Sequence, residues 1–475
     1  MALKTKVKVI AKEDCTRIHD ASIKILEETG IVFHHNEALD IFKKFGAKTN
    51  GKTVYFSKKM VEGALETCPS TFKWKARNDN RSVIVGDGLL TQPNAGPVYI
   101  QDLQGGRRLA LLQDYRNIQK LCQASEVIDL VGSIPVNPSD ISIKEKHLYM
   151  LYETIKNTDK PLIGHTVYAQ QAREMLDMVE ISMGQDGFLE ENHCIGVIVN
   201  SLSPLAYSDD AIETIIQYAK KNQIIIVAPA VMAGVSGPIN LLGSTVLTNV
   251  EILAGIVLTQ LINPGNPVVY STASNVANMK RASFCAGTPE TMLMNVANLQ
   301  MGLEFYKLPV RTMCGITDAK TINCQAGFET LQSLLMGMLG GAHMVVQCLG
   351  VLDTLMTTSY EKFIIDEELI RRVRCISRGV DTSDQALSVD IIQEVGHNGN
   401  YLTHEDTFDH FRDRWVPTVS DWESYTDWEK KGSEDIEIIA GRRYKEILEN
   451  VPRTLIDPEL DKDLITYMNK VFNKG

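Results

Sequence analysis

Between about residue 128 and residue 353 the chain repeats one unit, a short apolar run that ends in small and polar residues and is followed by helical spacing. The runs begin about 30 to 43 residues apart, the length of a strand plus the helix that leads to the next parallel strand. Seven runs follow this pattern: Asp129–Pro138, Pro161–Val167, Ile195–Ser203, Ile224–Gly234, Pro267–Ser274, Val310–Lys320 and Met344–Asp353. Segment Gly88–Val98 supplies an eighth. The repeat therefore predicts an α/β fold, a TIM-type (β/α)8 barrel.

The segments on either side of the repeat have helical spacing and fewer β-branched runs. We expect an N-terminal helical addition packed on the barrel (1–85), the barrel (86–365), and a C-terminal helical appendage (366–475). Within the appendage, Gly396–Trp428 holds three of the four tryptophans. The predicted flanking helices are Asp14–Thr29, Asn36–Phe45, Ser57–Cys68, Asp366–Ser377, Asp384–Val395, Asp435–Asn450 and Asp457–Asn473.

Composition excludes several classes of protein. With 44% hydrophobic and 23% charged residues the chain is typical of a globular protein, and its net charge of −11 argues against a nucleic-acid partner. The start lacks the apolar core of a signal peptide, and no run of about 18 apolar residues is evident, so we expect a cytoplasmic protein without a membrane partner. The nine cysteines form no CxxC pair, which favours reduced thiols. Because HxH and HExxH spacings are also missing, we expect no metal site.

A barrel places its functional side chains where the strands end, on the carboxyl-terminal face. At these positions the chain carries mostly amides, hydroxyls and rings, with Asp318 and Asp353 as the acids. Such a neutral mouth suits a ligand with a fixed positive charge, because ring faces attract cations without the cost of burying a carboxylate. The candidate substrate-binding residues are Tyr99, His165, Asn200, Tyr270, Asp318, Phe328, Gln347, His404 and Trp415, with Tyr401 as a further ring.

Three features have more than one interpretation. Lys320 follows a strand end and is either a Schiff-base lysine or a solvated one. The glycine-rich loop Gly234–Gly243 either holds an anion with its backbone N–H groups or is a plain tight turn. Each candidate ring, taken singly, is also compatible with a packing role in the core or an interface.

Several segments in order along nearly the whole chain resemble the trimethylamine methyltransferase family, and in particular its branch without pyrrolysine. The segments are Ile18–Ala47, Asn94–Tyr99, Val310–Glu329, Leu352–Glu367 and His397–Pro417. The resemblance implies a barrel enzyme that moves a methyl group from an amine to the Co(I) of a separate corrinoid protein. The expected partners are thus a small amine and the corrinoid protein, with no permanently bound cofactor, and a homo-oligomer is expected.

Trimethylamine members of the family carry pyrrolysine in the barrel, and the resemblance places the equivalent position near Cys314 or Gly315. This chain has only standard residues. The resemblance therefore implies a quaternary amine as substrate, such as glycine betaine, proline betaine, carnitine or γ-butyrobetaine. A quaternary ammonium already has a neutral tertiary amine as its leaving group, so no general acid is required.

In the expected complex the ammonium lies among Tyr99, Tyr270, Phe328 and Trp415. Its carboxylate contacts His165, Asn200, His404 or the N–H groups of the Gly234–Gly243 loop. The alternatives are another methyl donor (a tertiary methylamine, a thiol or a methoxyl compound), a non-catalytic protein that binds quaternary amines, or a lyase that uses Lys320.

Overall fold

Eight short parallel strands form the centre of the fold in the computed structural model, which describes residues 6–473. From the second to the eighth, each strand pairs in parallel with the next along the chain, and the eighth pairs in parallel with the first. Between the first and second strands, the amides of Asp129 and Leu130 donate to the carbonyl of Thr91 and close the ring. The strands are β1 (Leu90–Thr91), β2 (Val131–Gly132), β3 (Leu162–Ile163), β4 (Ile195–Val199), β5 (Ile224–Val227), β6 (Val268–Ser271), β7 (Val310–Met313) and β8 (Met344–Val346). The predicted TIM barrel is confirmed, since every strand lies within a predicted run.

One helix of the barrel follows each strand. These helices are α1 (Leu112–Ala124), α2 (Lys146–Asn157), α3 (Ala169–Met183), α4 (Asp209–Lys220), α5 (Leu241–Ile262), α6 (Pro289–Gln300), α7 (Cys324–Leu339) and α8 (Tyr360–Arg378). A short helix, Phe188–Glu191, follows α3, and a π-helical turn, Met301–Phe305, follows α6. Helix α8 passes through residue 365, so the last helix of the barrel ends at Arg378, beyond the boundary expected from the sequence.

Helix α5 is long and apolar enough to cross a membrane by length and composition alone. In this fold 78% of its most apolar stretch is buried. One side of α5 packs on β5 and β6, and another packs on three N-terminal helices. A helix that is covered on several sides needs apolar residues all round its axis. Burial in the core of the fold therefore accounts for the apolar composition of α5.

The N-terminal addition packs on the outside of the barrel and also closes its lower end. Its helices are Lys12–Glu28, Asn36–Lys44 and Lys58–Thr67, and Ser57 caps the third by accepting a hydrogen bond from the Met60 amide, as predicted. Its strands Ile31–Phe33, Lys48–Asn50 and Thr53–Tyr55 form a small sheet with Ala206–Tyr207. The hairpin of Phe72–Trp74 and Val83–Val85, joined by the turn Asp79–Arg81, places Trp74 among the side chains inside the barrel.

Two excursions cover the opposite end, where the strands finish. Tyr99–Asp102 and Gly106–Leu109, after β1, join Val351–Leu352 and Thr357–Ser359, after β8, in one sheet. Met232–Ala233, after β5, joins Asn275–Asn278 and Ser283–Cys285, after β6, in another. These loops surround the open end of the barrel, which we call the mouth.

The C-terminal appendage has a packed part and an exposed part. Helices Ile436–Asn450 and Pro458–Phe472 pack on barrel helices. Between α8 and these helices runs a segment, residues 379–434, that we call the C-terminal arm. It contains the short helices Gln385–Leu387, Val389–Val395, Glu405–His410, Phe411–Asp413 and Tyr425–Lys430. The predicted helix Asp384–Val395 is thus shorter than expected.

The contact between Trp74 and Gly196 gives a test of how the lower end is closed. A Cβ atom on Gly196 would lie 2.3 Å from the Trp74 ring. We expect Gly196→Ala to lower the free energy of unfolding by about 1–3 kcal/mol through overpacking, measured as a lower denaturant midpoint. Gly63→Ala is the control, because it lies in helix Lys58–Thr67 with no atom within 4 Å and should raise stability by about 0.5–1 kcal/mol. Equal midpoints for the two variants would contradict the packing described.

Candidate active site at the barrel mouth

Arg311 lies inside the barrel at the base of the mouth and is 3% exposed. Its Nε donates to Oε1 of Gln92 (3.0 Å) and its Nη1 donates to Oγ of Ser271 (3.0 Å), and both acceptors are uncharged. Among residues 6–473, no carboxylate oxygen lies within 4.0 Å of this guanidinium, the distance limit for an ion pair. Burial lowers the pKa of Arg311 to about 9, so it is charged at neutral pH. The base of the mouth therefore carries a positive charge without a protein counter-ion.

An apolar wall lies above this guanidinium. Met313 follows Arg311 by two residues and so lies on the same face of β7. It belongs to one buried cluster with Ile316 and Val346, against which Phe284 and Leu355 pack. We call these five residues the apolar wall. Their surfaces suit the methyl groups of a ligand better than they suit water.

Two of the predicted polar residues, Asn200 and Gln347, follow strands that line the mouth. Asn200 is exposed after β4, and its Nδ2 donates to the carbonyl of Ala228. Gln347, after β8, pairs its side-chain amide with the backbone of Ala95, donating at 2.8 Å and accepting at 3.0 Å. Gln347 thus joins two loops of the mouth, and both polar atoms of its side chain already have partners.

His165 follows β3, on the opposite side of the barrel from β7. Burial, together with the nearby His147 and Lys146, lowers the pKa of His165 to about 4. The imidazole is therefore neutral at pH 7. It can exchange a hydrogen bond with a ligand, but it supplies no positive charge to the carboxylate that the sequence-based hypothesis places beside it.

The acidic residues of the mouth are engaged in holding its loops. The Asp318 carboxylate accepts hydrogen bonds from the amides of Ala286 and Gly287, both at 3.0 Å, and from Oγ1 of Thr354 at 2.7 Å. Asp318 thus connects the loops that follow β6, β7 and β8. Glu329 accepts from the amide of Asp318 at 2.8 Å and extends this network into α7.

Lys320 and Asp353 lie at the edge of the mouth. The Lys320 side chain is exposed, with its Nζ 3.4 Å from a carboxylate oxygen of Asp353. Asp353 also pairs with Arg107 at 2.9 Å. This geometry favours the interpretation of Lys320 as a solvated, ion-paired lysine, because a Schiff-base lysine is usually desolvated.

The candidate rings are divided between the mouth and other parts of the fold. Tyr99 lies in the excursion after β1, with the guanidinium carbon of Arg107 3.5 Å from its ring centroid. Phe328 is exposed near the start of α7. Tyr270 faces outward, where its hydroxyl donates to Oδ1 of Asn249 on α5 at 2.8 Å. The prediction that Tyr270 contacts the substrate is therefore wrong, because alternate residues of β6 face opposite sides of the barrel wall.

His404 and Trp415 belong to the C-terminal arm. Trp415 stacks on Arg372, in the second half of α8, with 4.4 Å from the guanidinium carbon to the ring centroid. His404 lies 3.6 Å from Glu394 and accepts a hydrogen bond from the amide of Asp406. Because α8 runs from the mouth toward the lower end of the barrel, these contacts place Trp415 away from the mouth. In the described chain neither residue joins the predicted site.

The glycine-rich loop after β5 uses its amides internally. The amides of Val235, Ser236 and Gly237 all approach the carbonyl of Met232, and the Gly234 amide donates to the carbonyl of Gly237. The anion-binding interpretation of this loop is therefore wrong, and the tight-turn interpretation agrees with the structure.

Cys314 and Gly315 do not direct a side chain into the mouth. Cys314 is fully buried against α7, where a Cβ atom on Gly337 would lie 2.2 Å from its Sγ. Gly315 has a φ of 69°, and a Cβ there would lie 2.5 Å from the Cα of Cys348. At both positions the backbone leaves no path for a long side chain.

Sequence reasoning missed Arg311 and Gln92. Arg311 lies inside a run that the sequence predicts to be a strand. Its charge in an otherwise apolar segment was the signal that could have identified it as a functional residue. Gln92 carried no signal, since its role depends on the pairing of β1 with β8, which brings β7 within reach.

A parallel barrel closed at its lower end, with a charged base and an apolar wall at its mouth, defines a TIM-barrel enzyme with a small-molecule site. The chain matches the trimethylamine methyltransferase family over residues 3–474. It is 36% identical to glycine betaine methyltransferase of Desulfitobacterium hafniense, covering 98% of this chain and 97% of that protein. It is 32% identical to proline betaine:corrinoid methyltransferase of Eubacterium limosum, covering 86% of each. The chain belongs to the trimethylamine methyltransferase family, which confirms the resemblance seen in the sequence.

A solved structure shows the same fold. The monomethylamine methyltransferase of Methanosarcina barkeri superposes with a TM-score of 0.55 at 12% identity, covering 94% of this chain and 90% of that one. This likeness concerns the barrel and its additions.

The neutral state of His165 predicts a dependence of stability on pH. The pKa of His165 is lowered in the fold, so between pH 6.5 and pH 4 the unfolded chain binds a proton that the folded chain does not bind. The stabilisation present above pH 6.5 is therefore lost as the pH falls toward 4. Between pH 7 and pH 5 the free energy of unfolding of the wild type should fall by about 1–2 kcal/mol more than that of His165→Gln. Denaturant unfolding at each pH measures this difference.

The control for this measurement is His410→Gln. His410 is exposed on the C-terminal arm, and Asp413 raises its pKa, so the difference should have the opposite sign. A stability difference for His165→Gln that does not change with pH would show that the pKa of His165 is not lowered in the fold.

Proposed function

We propose that this chain transfers a methyl group from a quaternary amine, glycine betaine or a related betaine, to the Co(I) of a corrinoid protein. The observation that carries the proposal is the family membership together with 36% identity to a glycine betaine methyltransferase over nearly the whole chain. The mouth agrees with this chemistry, because its acids hold loops and its histidine is neutral. A reaction that needs no proton transfer requires neither group to be free.

In the transfer, the bond between nitrogen and the methyl carbon breaks and its electron pair stays on nitrogen. The tertiary amine leaves neutral, so no proton has to be supplied. The methyl carbon is bonded instead to the cobalt, whose electron pair forms the new bond. The tasks of this chain are to orient the ammonium and to exclude water. In this proposal the apolar wall and Tyr99 perform them.

The rim of the mouth supports a protein as the methyl acceptor. Successive loops after the strands each expose a large apolar side chain, between 55% and 82% accessible. These residues, which we call the apolar rim, are Ile143, Tyr168, Leu202, Ile239, Met279 and Phe328. Apolar side chains exposed around a site are typical of a surface that another protein covers. We infer that the corrinoid protein docks on the apolar rim.

An assay with pure components tests the function. Free Co(I) cobalamin, followed by its absorption, should be consumed in the presence of at least one of glycine betaine, proline betaine, carnitine and γ-butyrobetaine. Trimethylamine, a methylated thiol and a methoxyl compound complete the donor panel and test the alternative donors. Loss of Co(I) with none of the four betaines would overturn the proposal, and calorimetric binding without transfer would indicate a binding protein.

The same assay tests the docking surface. Ile143→Asp and Met279→Asp should each raise the KM for the corrinoid protein about tenfold while the rate with free cobalamin stays unchanged. Ile84→Asp is the matched control, because Ile84 is 45% exposed on the hairpin that closes the lower end. An equal effect of all three variants would remove the apolar rim from the interface.

We further propose that the protein works in the cytoplasm as a homo-oligomer. All nine cysteines are free thiols, as suits a reducing compartment. The C-terminal arm exposes many large apolar side chains, among them Leu402 (79%) and Phe408 (72%). A second copy of the chain that covers the arm would bury this surface.

Light scattering after size exclusion tests the oligomer. The wild type should have a multiple of the 52.9 kDa chain mass, and the double variant Leu402→Asp/Phe408→Asp should have a lower mass because charge is introduced into the contact. Ile465→Asp, on the last helix at 41% exposure, is the control and should leave the mass unchanged. A monomeric wild type would contradict the proposal.

A further inference from the structure

We propose that Arg311 and Gln92 bind the carboxylate of the substrate, so that the betaine lies along the barrel axis with its carboxylate at the base and its N-methyl groups toward the open mouth. This inference rests on the proposed function and adds the polar recognition that selects carboxylated quaternary amines.

The charge of Arg311 is the first observation. A buried cation without a counter-ion is costly, and proteins normally supply a partner. Lys362, buried to a similar degree, follows this rule with both oxygens of Asp366 within 2.8 Å of its Nζ. Arg311 instead has only a neutral amide and a hydroxyl, which engage two of the five N–H donors of a guanidinium. An anionic ligand would complete the pair.

The second observation is a buried donor beside it. Gln92 is 0% exposed, and its Nε2 has no hydrogen-bond partner within residues 6–473. The orientation of this amide follows from chemistry, because a guanidinium only donates and its neighbour must therefore be the oxygen of Gln92. The Nε2 donor belongs to the same amide group and so lies beside the guanidinium. The remaining N–H donors of the guanidinium and the unpartnered Nε2 of Gln92 match the two oxygens of a carboxylate.

The third observation is the position of Arg311 and Gln92 along the barrel axis. Arg311 pairs in register with Ser271, the last residue of β6, and Gln92 directly follows β1. The guanidinium is therefore at the carboxyl ends of the strands, below Met313 of the apolar wall. A ligand held here by its carboxylate has its ammonium beside the apolar wall and its methyl groups toward the apolar rim, where the corrinoid protein is proposed to dock.

The inference excludes the histidines and the glycine-rich loop from carboxylate binding. His165 is neutral, His404 lies on the C-terminal arm, and the loop amides bond within the loop. It also predicts poor binding of tetramethylammonium and choline, which carry the cation without a carboxylate.

Calorimetry with glycine betaine and tetramethylammonium tests the inference. The wild type should bind glycine betaine at least about 100-fold more tightly than tetramethylammonium. Arg311→Gln should lose this preference by weakening glycine betaine about 100-fold while changing tetramethylammonium by less than about threefold. Gln92→Leu, which keeps the charge, should weaken glycine betaine about tenfold.

Arg77→Gln is the matched control for folding. Arg77 is half-buried at the lower end of the barrel and also donates to neutral acceptors, the carbonyls of Leu455, Ile155 and Thr158. It should leave both dissociation constants unchanged. If Arg311→Gln does not fold, Arg311→Lys replaces it in the experiment. This variant should weaken the binding of glycine betaine alone about tenfold, because lysine loses the bidentate contact of a guanidinium with a carboxylate.

The outcomes separate this inference from the proposed function. A wild type that consumes Co(I) with glycine betaine but binds tetramethylammonium equally well retains the function and overturns the role of Arg311. Equal weakening of both ligands by Arg311→Gln also overturns it. A wild type that transfers no methyl group from any betaine overturns the function itself, whatever the binding data show.

Discussion

Closure of the parallel strand ring is the constraint on which the rest of the structure depends. The amides of Asp129 and Leu130 reach the carbonyl of Thr91, and this contact converts an open sheet into a barrel with two different ends. The Asp129 carboxylate supports the same junction by accepting from the Thr91 amide at 2.8 Å and from Arg374 at 2.9 Å. Because all eight strands point the same way, their carboxyl ends form one mouth. Gln92, Ser271 and Arg311 meet there because β1 pairs with β8, β8 with β7 and β7 with β6.

The mouth separates charge from apolar surface along the barrel axis. The positive charge lies at the base on Arg311, and the apolar wall lies above it. The carboxylates that lie nearby are held by loop amides and hydroxyls, as Asp318 is by Ala286, Gly287 and Thr354. A zwitterion with a fixed cation at one end and a carboxylate at the other fits this polarity in one direction. That direction leaves the methyl groups exposed to a partner, and the proposed transfer depends on this exposure.

Outside the barrel, the additions have different physical roles. The N-terminal hairpin fills the lower end of the barrel with Trp74, whose ring packs against Gly196. The C-terminal arm is held at its base by Glu368, which accepts from the amides of Thr418 and Val419. Beyond that base its apolar residues remain exposed, as they do on the apolar rim. In the proposed assembly the apolar rim contacts a corrinoid protein and the C-terminal arm contacts a second copy of the chain.

The sequence by itself determined the strand count, the strand order and the family, because a βα unit is local and its apolar runs and turns repeat along the chain. It also placed Asn200, Gln347 and Asp318 after the strands, since strand ends are marked by polar residues. It did not determine which face of a strand is inside. Strands of a parallel barrel are apolar on both faces, so the pattern around Tyr270 does not show which side chains of that strand face inward.

Only the tertiary structure decided that Tyr270 faces α5 and that Arg311 faces the interior. The same holds for Trp415 and His404, whose distance from the mouth depends on the path of the arm after α8. A hydrogen bond such as that of Arg311 to Gln92 joins residues 219 positions apart, and no local pattern encodes it. The repeat determined where the mouth is, and the closed ring decided which side chains enter it.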